Sequence, residues 1–134
     1  MTLSEQKHQT LSDAIRHCKA GAASNPYQGD DKKVLFVCSM GILRSATAAR
    51  LYSRKYNTRS AGTYGDALIP LTPMLLAWAN EIVFVNKGNY MAAIMEFGED
   101  IFKETPTKVL DIPDQFPHMH PDLIKAFEEQ YEKL

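Results

Sequence analysis

The segment Cys38-Ser39-Met40-Gly41-Ile42-Leu43-Arg44-Ser45 combines residue types and spacing that could carry chemistry. A short apolar run, Val34-Leu35-Phe36-Val37, precedes it, and an Ala-rich helical pattern follows. A loop between a strand end and a helix start can curl so that successive backbone N–H groups point inward. The helix adds its first-turn donors and the positive end of its dipole, and together these seat a tetrahedral oxyanion. Ser39, Met40, Gly41, Ile42 and Leu43 would supply the amides. Gly41 suits the turn, because a tight loop often needs a residue at positive φ. The field that attracts phosphate also favours a thiolate, so Cys38 at the floor of the ring is placed to attack phosphorus. Arg44 would close the ring with a planar fork that matches two phosphate oxygens, which Lys cannot do. Ser45 can donate its hydroxyl hydrogen to the sulfur, holding the anion and easing its later departure. The ordinary uses of these residues compete with this reading: a strand-end cysteine is commonly packing, and an arginine opening a helix is commonly solvated.

Attack on phosphorus also calls for an acid at the leaving oxygen. Asp111-Ile112-Pro113-Asp114-Gln115-Phe116 offers two carboxylates around a stiffening proline. Either could act as general acid once partly buried. Asp114, further from the preceding strand, is preferred; the ordinary alternative is that Asp111 caps or closes the turn and Asp114 simply faces solvent. Phe116 could wall a slot for a flat ring or could equally be a core or surface aromatic. His118 and His120 have no third ligand at a useful spacing, so no metal site is expected and they read as surface or capping residues.

These loops need elements to hold them. Residues 34–37 read as a strand buried on both faces. Residues 45–56 read as a helix, 58–63 as a short strand and 68–79 as containing a helix after Pro70. Residues 82–85 read as a second buried strand, 89–97 as a helix, 109–112 as a last strand and 121–134 as a closing helix. Strands alternating with helices imply right-handed crossovers, a parallel sheet and a three-layer α/β domain over residues 32–134. Ligands in such sheets bind beyond the carboxyl ends of the strands. The loops after Val37 and Ile112 leave that same rim, so they can face each other. Residues 1–31 read as an N-terminal extension. Leu11, Ala14, Ile15 and Cys18 form a helical stripe that Gly21 ends.

A net charge of -1 gives no global field for nucleic acid or anionic membrane. No apolar run reaches the length of a membrane span, and the polar start lacks the apolar middle of a secretory signal. A cytoplasmic protein is expected. Its two cysteines suit a reducing compartment, with Cys18 as packing and no disulfide to Cys38.

The segment from Val34 to Ser45 resembles the active-site loop of the low-molecular-weight protein tyrosine phosphatase family, with Cys, five residues, Arg and Ser after the first strand. Ser60-Ala61-Gly62-Thr63 is similar to that family's second-strand signature, and Ile112-Pro113-Asp114-Gln115-Phe116 to its acid loop. The likeness spans residues 33–134 in order and resembles most a short bacterial and phage branch. It implies a four-stranded parallel sheet of order 2-1-3-4 flanked by helices. It also implies a metal-free phosphatase without cofactor, passing through phosphocysteine, with a phosphorylated protein or small aryl phosphate as substrate. In that reading Cys38 is the nucleophile, Arg44 the phosphate ligand, Ser45 the thiolate's partner and Asp114 the acid, then base. The chain departs from the family at Gly41, where Asn is usual, so Ser60 is expected to lack its usual partner. It departs also at Leu43, in place of a second loop cysteine, at Ala46 in place of Pro, and at Gln115-Phe116.

Two rivals remain. One is a carrier resembling the IIB component of sugar phosphotransferase systems, which keeps phosphate on sulfur. Arg44 and the Asp114 loop speak against it. The other is an inactive, phosphatase-like binding protein. An arsenate reductase of the multi-cysteine type would need further thiols and is disfavoured.

Overall fold

Val34, Leu35, Phe36 and Val37 are all fully buried, and their side chains alternate between two separate cores. This is the period-two signature of a central strand covered on both faces. The computed structural model describes residues 32–133. The expected extension over residues 1–31, including Cys18, lies outside them.

Strand β1 (Lys33–Cys38) pairs in parallel with β2 (Asn57–Gly62) on one side and β3 (Glu81–Phe84) on the other. Strand β4 (Thr107–Val109) adds to β3, so the sheet runs β2-β1-β3-β4, all parallel, in the expected order. The helices are α1 (Arg44–Leu51), α2 (Pro73–Trp78), α3 (Lys87–Phe97), α4 (Asp100–Glu104) and α5 (Pro121–Gln130). Val34, Phe36, Val83 and Val85 meet Ala48 and Ala49 of α1 and Leu123 and Phe127 of α5. Leu35, Val37, Ile82 and Phe84 meet Leu76 of α2, Ala93 of α3 and Phe102 of α4. The result is a three-layer α/β architecture with β1 at its centre. No helix among the described residues is long and apolar enough to cross a membrane.

Several boundaries differ from the sequence reading. Helix α1 stops at Leu51 rather than running to residue 56. The Ser53 hydroxyl donates to Arg50 O at 2.9 Å, and the Ser53 amide reaches the same carbonyl at 3.3 Å, which tightens the last turn. Helix α2 starts at Pro73, where Thr72 Oγ1 accepts from the Leu75 amide and proline occupies the first turn. Strand β4 lies two residues earlier than expected. The apolar signal at Leu110 and Ile112 marks the buried residues, whereas Thr107–Val109 form the paired edge and Val109 is exposed. Leu110 and Ile112 continue the pairing through their amides to Phe84 O and Val85 O. Helix α4 was not expected; it is little more than one turn, and only Phe102 of it is buried.

At the amino end of the sheet, Glu81 is buried and ion-paired with Lys32 and Lys108. Beside it, Phe36, Tyr52 and Tyr131 pack ring on ring, with the two tyrosine centroids 5.0 Å apart. Burial pushes the Tyr131 hydroxyl well above its ordinary range, and Glu81 pushes the same way. Burial, then Glu132, does likewise for Tyr52. The folded protein therefore keeps these protons to higher pH than the unfolded chain does. Their stabilisation is complete below the ordinary tyrosine value of about 10 and is lost as pH rises beyond it. Chemical-denaturation midpoints should fall as pH rises above about 10, and Tyr131→Phe should flatten that fall; equal slopes would refute the assignment.

Candidate active site

Ser39, Met40 and Gly41 turn their carbonyls towards the segment around β2. Ser39 O accepts from the Tyr64 amide at 3.0 Å, Met40 O from the Ile69 amide at 3.4 Å and Gly41 O from Ser60 Oγ at 2.9 Å. In a planar trans peptide the next N–H points the opposite way. The amides of Met40, Gly41 and Ile42 therefore face the inside of the loop. The Gly41 amide reaches Cys38 Sγ at 3.2 Å. Ser45 Oγ lies 3.0 Å from the same sulfur, and with sulfur as an anion the hydroxyl is the donor. Cys38 is buried, with its sulfur held between these two donors.

Two glycines make the loop possible. Gly41 has φ +82°, and a Cβ there would come within 2.9 Å of Ala61 C and Ile69 O. Gly62, paired with Cys38, lies so close that a Cβ would overlap Ser39 O and Met40 C. Position 41 offers Ser60 no side chain, as expected, and Ser60 takes a main-chain partner instead. With glycine at position 41 the Ser60 hydroxyl bonds that residue's backbone carbonyl.

Helix α1 opens at the end of the loop with no side-chain cap. Its first-turn amides have no intrahelical acceptors and add donors at the ring. Arg44, the first helical residue, is 1% exposed. Its Nη1 donates to Ile112 O at 2.9 Å and its Nη2 to Ser39 Oγ at 3.0 Å. Nε makes no hydrogen bond and lies 3.7 Å from Asp114 Oδ1. That carboxylate is 54% exposed. A buried guanidinium thus has two neutral acceptors and one solvated, distant anion, and a buried cation is costly until an anion meets it.

The structure brings Cys38, Ser39, Gly41, Arg44, Ser45 and Asp114 together at the carboxyl rim. Asp111 takes a different place: its backbone exchanges hydrogen bonds with the Gln130 side chain at 2.6 and 2.9 Å, and its side chain is exposed. Leu43 is exposed at the loop's end. Phe116 is half-buried, packed on the core with its ring 5.7 Å from that of His120. His120 caps α5 by accepting from the Asp122 amide at 3.1 Å, and His118 Nδ1 lies 3.4 Å from Thr47 Oγ1. No group of three potential metal ligands occurs among the described residues.

Two buried residues escaped the sequence reading. Thr47 Oγ1 donates to Leu43 O at 2.8 Å and accepts from the Met119 amide at 2.8 Å, tying the loop to the segment that follows Asp114. Asn89 Nδ2 donates to Ser39 Oγ at 3.3 Å and Thr63 Oγ1 at 3.0 Å. The signal for Asn89 was its spacing from Asn86, whose side chain caps α3 by accepting from the Asn89 amide, just beyond a buried strand.

No family model, curated protein or solved structure matches the chain.

Gly41→Ala should lower stability by at least about 1–2 kcal/mol, the cost of a left-handed backbone at a residue with Cβ. A urea melt of wild type and variant measures it, and unchanged midpoints would contradict the loop geometry.

Proposed function

We propose that the chain is a cysteine-dependent phosphomonoester hydrolase of the protein tyrosine phosphatase kind, working through a phosphocysteine intermediate. The observation that carries this reading is a sulfur held by an amide and a hydroxyl, at the floor of a loop whose amides turn inward. Beside it stands a buried arginine whose Nε has no hydrogen-bond partner. A phosphoryl group would give this arginine a closer anion than Asp114, and Nε with a neighbouring N–H offers the paired donors that phosphate oxygens take.

In the proposed reaction the Cys38 thiolate attacks phosphorus and the bond to the leaving oxygen breaks. Asp114 gives that oxygen its proton. A water then attacks the phosphocysteine, Asp114 takes its proton, and the sulfur–phosphorus bond breaks to release inorganic phosphate. Ser45 and the Gly41 amide hold the sulfur anion as it departs. The inward amides and Arg44 stabilise charge on the equatorial oxygens throughout. Phe116, half-buried beyond Asp114, is the proposed wall for an aryl group. Asp114 is preferred over Asp111 because it stands near the guanidinium, whereas Asp111 is tied towards α5.

Turnover of p-nitrophenyl phosphate tests the reading. Cys38→Ser and Arg44→Ala should each abolish it, and near-normal rates in either would overturn the assignment. Asp114→Asn should slow departure of the leaving group by roughly 10²–10⁴-fold. A larger loss at Asp111→Asn would reverse the choice of acid. Activity should survive a strong chelator. Phosphate retained on sulfur and passed to a sugar, instead of released, would favour the carrier.

A further inference from the structure

Ser39 Oγ stands between two donors, Arg44 Nη2 at 3.0 Å and Asn89 Nδ2 at 3.3 Å. Asn89 spends its second amide hydrogen on Thr63 Oγ1 at 3.0 Å. It is 4% exposed, and its Oδ1 makes no hydrogen bond. A buried, unmet acceptor is a net cost, and an apolar side chain of similar shape would remove it. The amide stands against that cost through its two donated bonds, which run to the residue that orients the guanidinium and to the end of β2 beside the loop.

We propose that Asn89 is a positioning residue for oxyanion binding, holding Ser39 Oγ so that it fixes the Arg44 guanidinium towards the ring. The inference rests on the phosphate-binding reading of the loop and adds a residue from α3, the layer opposite α1, to its support. Asn89 does not touch the phosphate. It acts through the Ser39 hydroxyl, which accepts from both side chains and so locks one guanidinium nitrogen. The Asn89 backbone is itself held by the Asn86 cap at 2.9 Å, so the amide is presented from a fixed helix end. Nη1 is locked separately by Ile112 O. With both terminal nitrogens anchored, Nε keeps a single orientation.

Calorimetric titration of the full chain with inorganic phosphate tests this directly. Asn89→Ala should raise the phosphate Kd about three- to tenfold, the worth of one hydrogen bond in such a network. In a Ser39→Ala background the same change should have less than about a twofold effect, because the route through Ser39 is already gone. Equal effects in the two backgrounds, or an unchanged Kd in Asn89→Ala, would overturn the inference. A merely structural residue would lower the melting temperature and leave the phosphate Kd alone. If Asn89→Ala does not fold, Asn89→Leu carries the same test with nearly the original volume. Wild type that binds phosphate without hydrolysing p-nitrophenyl phosphate would refute the phosphatase reading and leave this inference standing. Wild type that binds no phosphate would refute both.

Discussion

A positive charge buried beneath the carboxyl rim of the sheet is the constraint around which the rest is arranged. Taking the Arg44 guanidinium out of water is expensive. The chain meets part of that cost with neutral oxygens. Ile112 O comes from the segment just after β4 and Ser39 Oγ from the loop itself. Each acceptor must stand at a set place, so the ends of β1 and β4 are held in mutual register by one side chain. The remainder is met only by the exposed Asp114 carboxylate, 3.7 Å from Nε. A folded state that tolerates an incompletely paired guanidinium is well suited to an anionic ligand.

The backbone around the sulfur follows from close approach. Gly62 lets β2 press against residues 39–41, and Gly41 lets the chain turn there at positive φ. Four carbonyls from Cys38 to Gly41 then find donors in residues 60–69. Those bonds orient the peptides, and the orientation turns the amides towards the sulfur. The cradle is thus shaped from outside, by the neighbouring strand and its following loop.

Much of this was legible in the sequence where one residue's type determined its surroundings. The apolar runs at 34–37 and 82–85 read as strands buried on both faces, their alternation with helices gave the parallel sheet, and the strand-loop-helix order placed Cys38 and Arg44 on one turn. The sheet order came from resemblance, and it agrees with the structure. Features set by partners distant in sequence were not legible. The edge pairing of Thr107–Val109 depends on β3, not on apolarity. Ser60 bonds a main-chain oxygen, which no side-chain pattern reveals. Thr47 and Asn89 look like ordinary helical polar residues until the fold brings residue 119 to the first and residue 39 to the second. The tie between the Asp111 backbone and Gln130 likewise needs a residue from the closing helix.

The Thr47 hydroxyl has a mechanical consequence. It bonds the chain just before α1 and the amide of Met119, which sits at φ 62°, a strained value for a residue with a side chain. At its other end the same stretch is riveted by Ile112 O to the guanidinium and by Asp111 to Gln130. The intervening residues form a short span anchored at both ends, with little slack for a flap-like swing. Under the proposed reaction, Asp114 on such a span would meet the substrate already in place, and opening and shutting would not set the pace of turnover as they do in enzymes gated by a mobile lid.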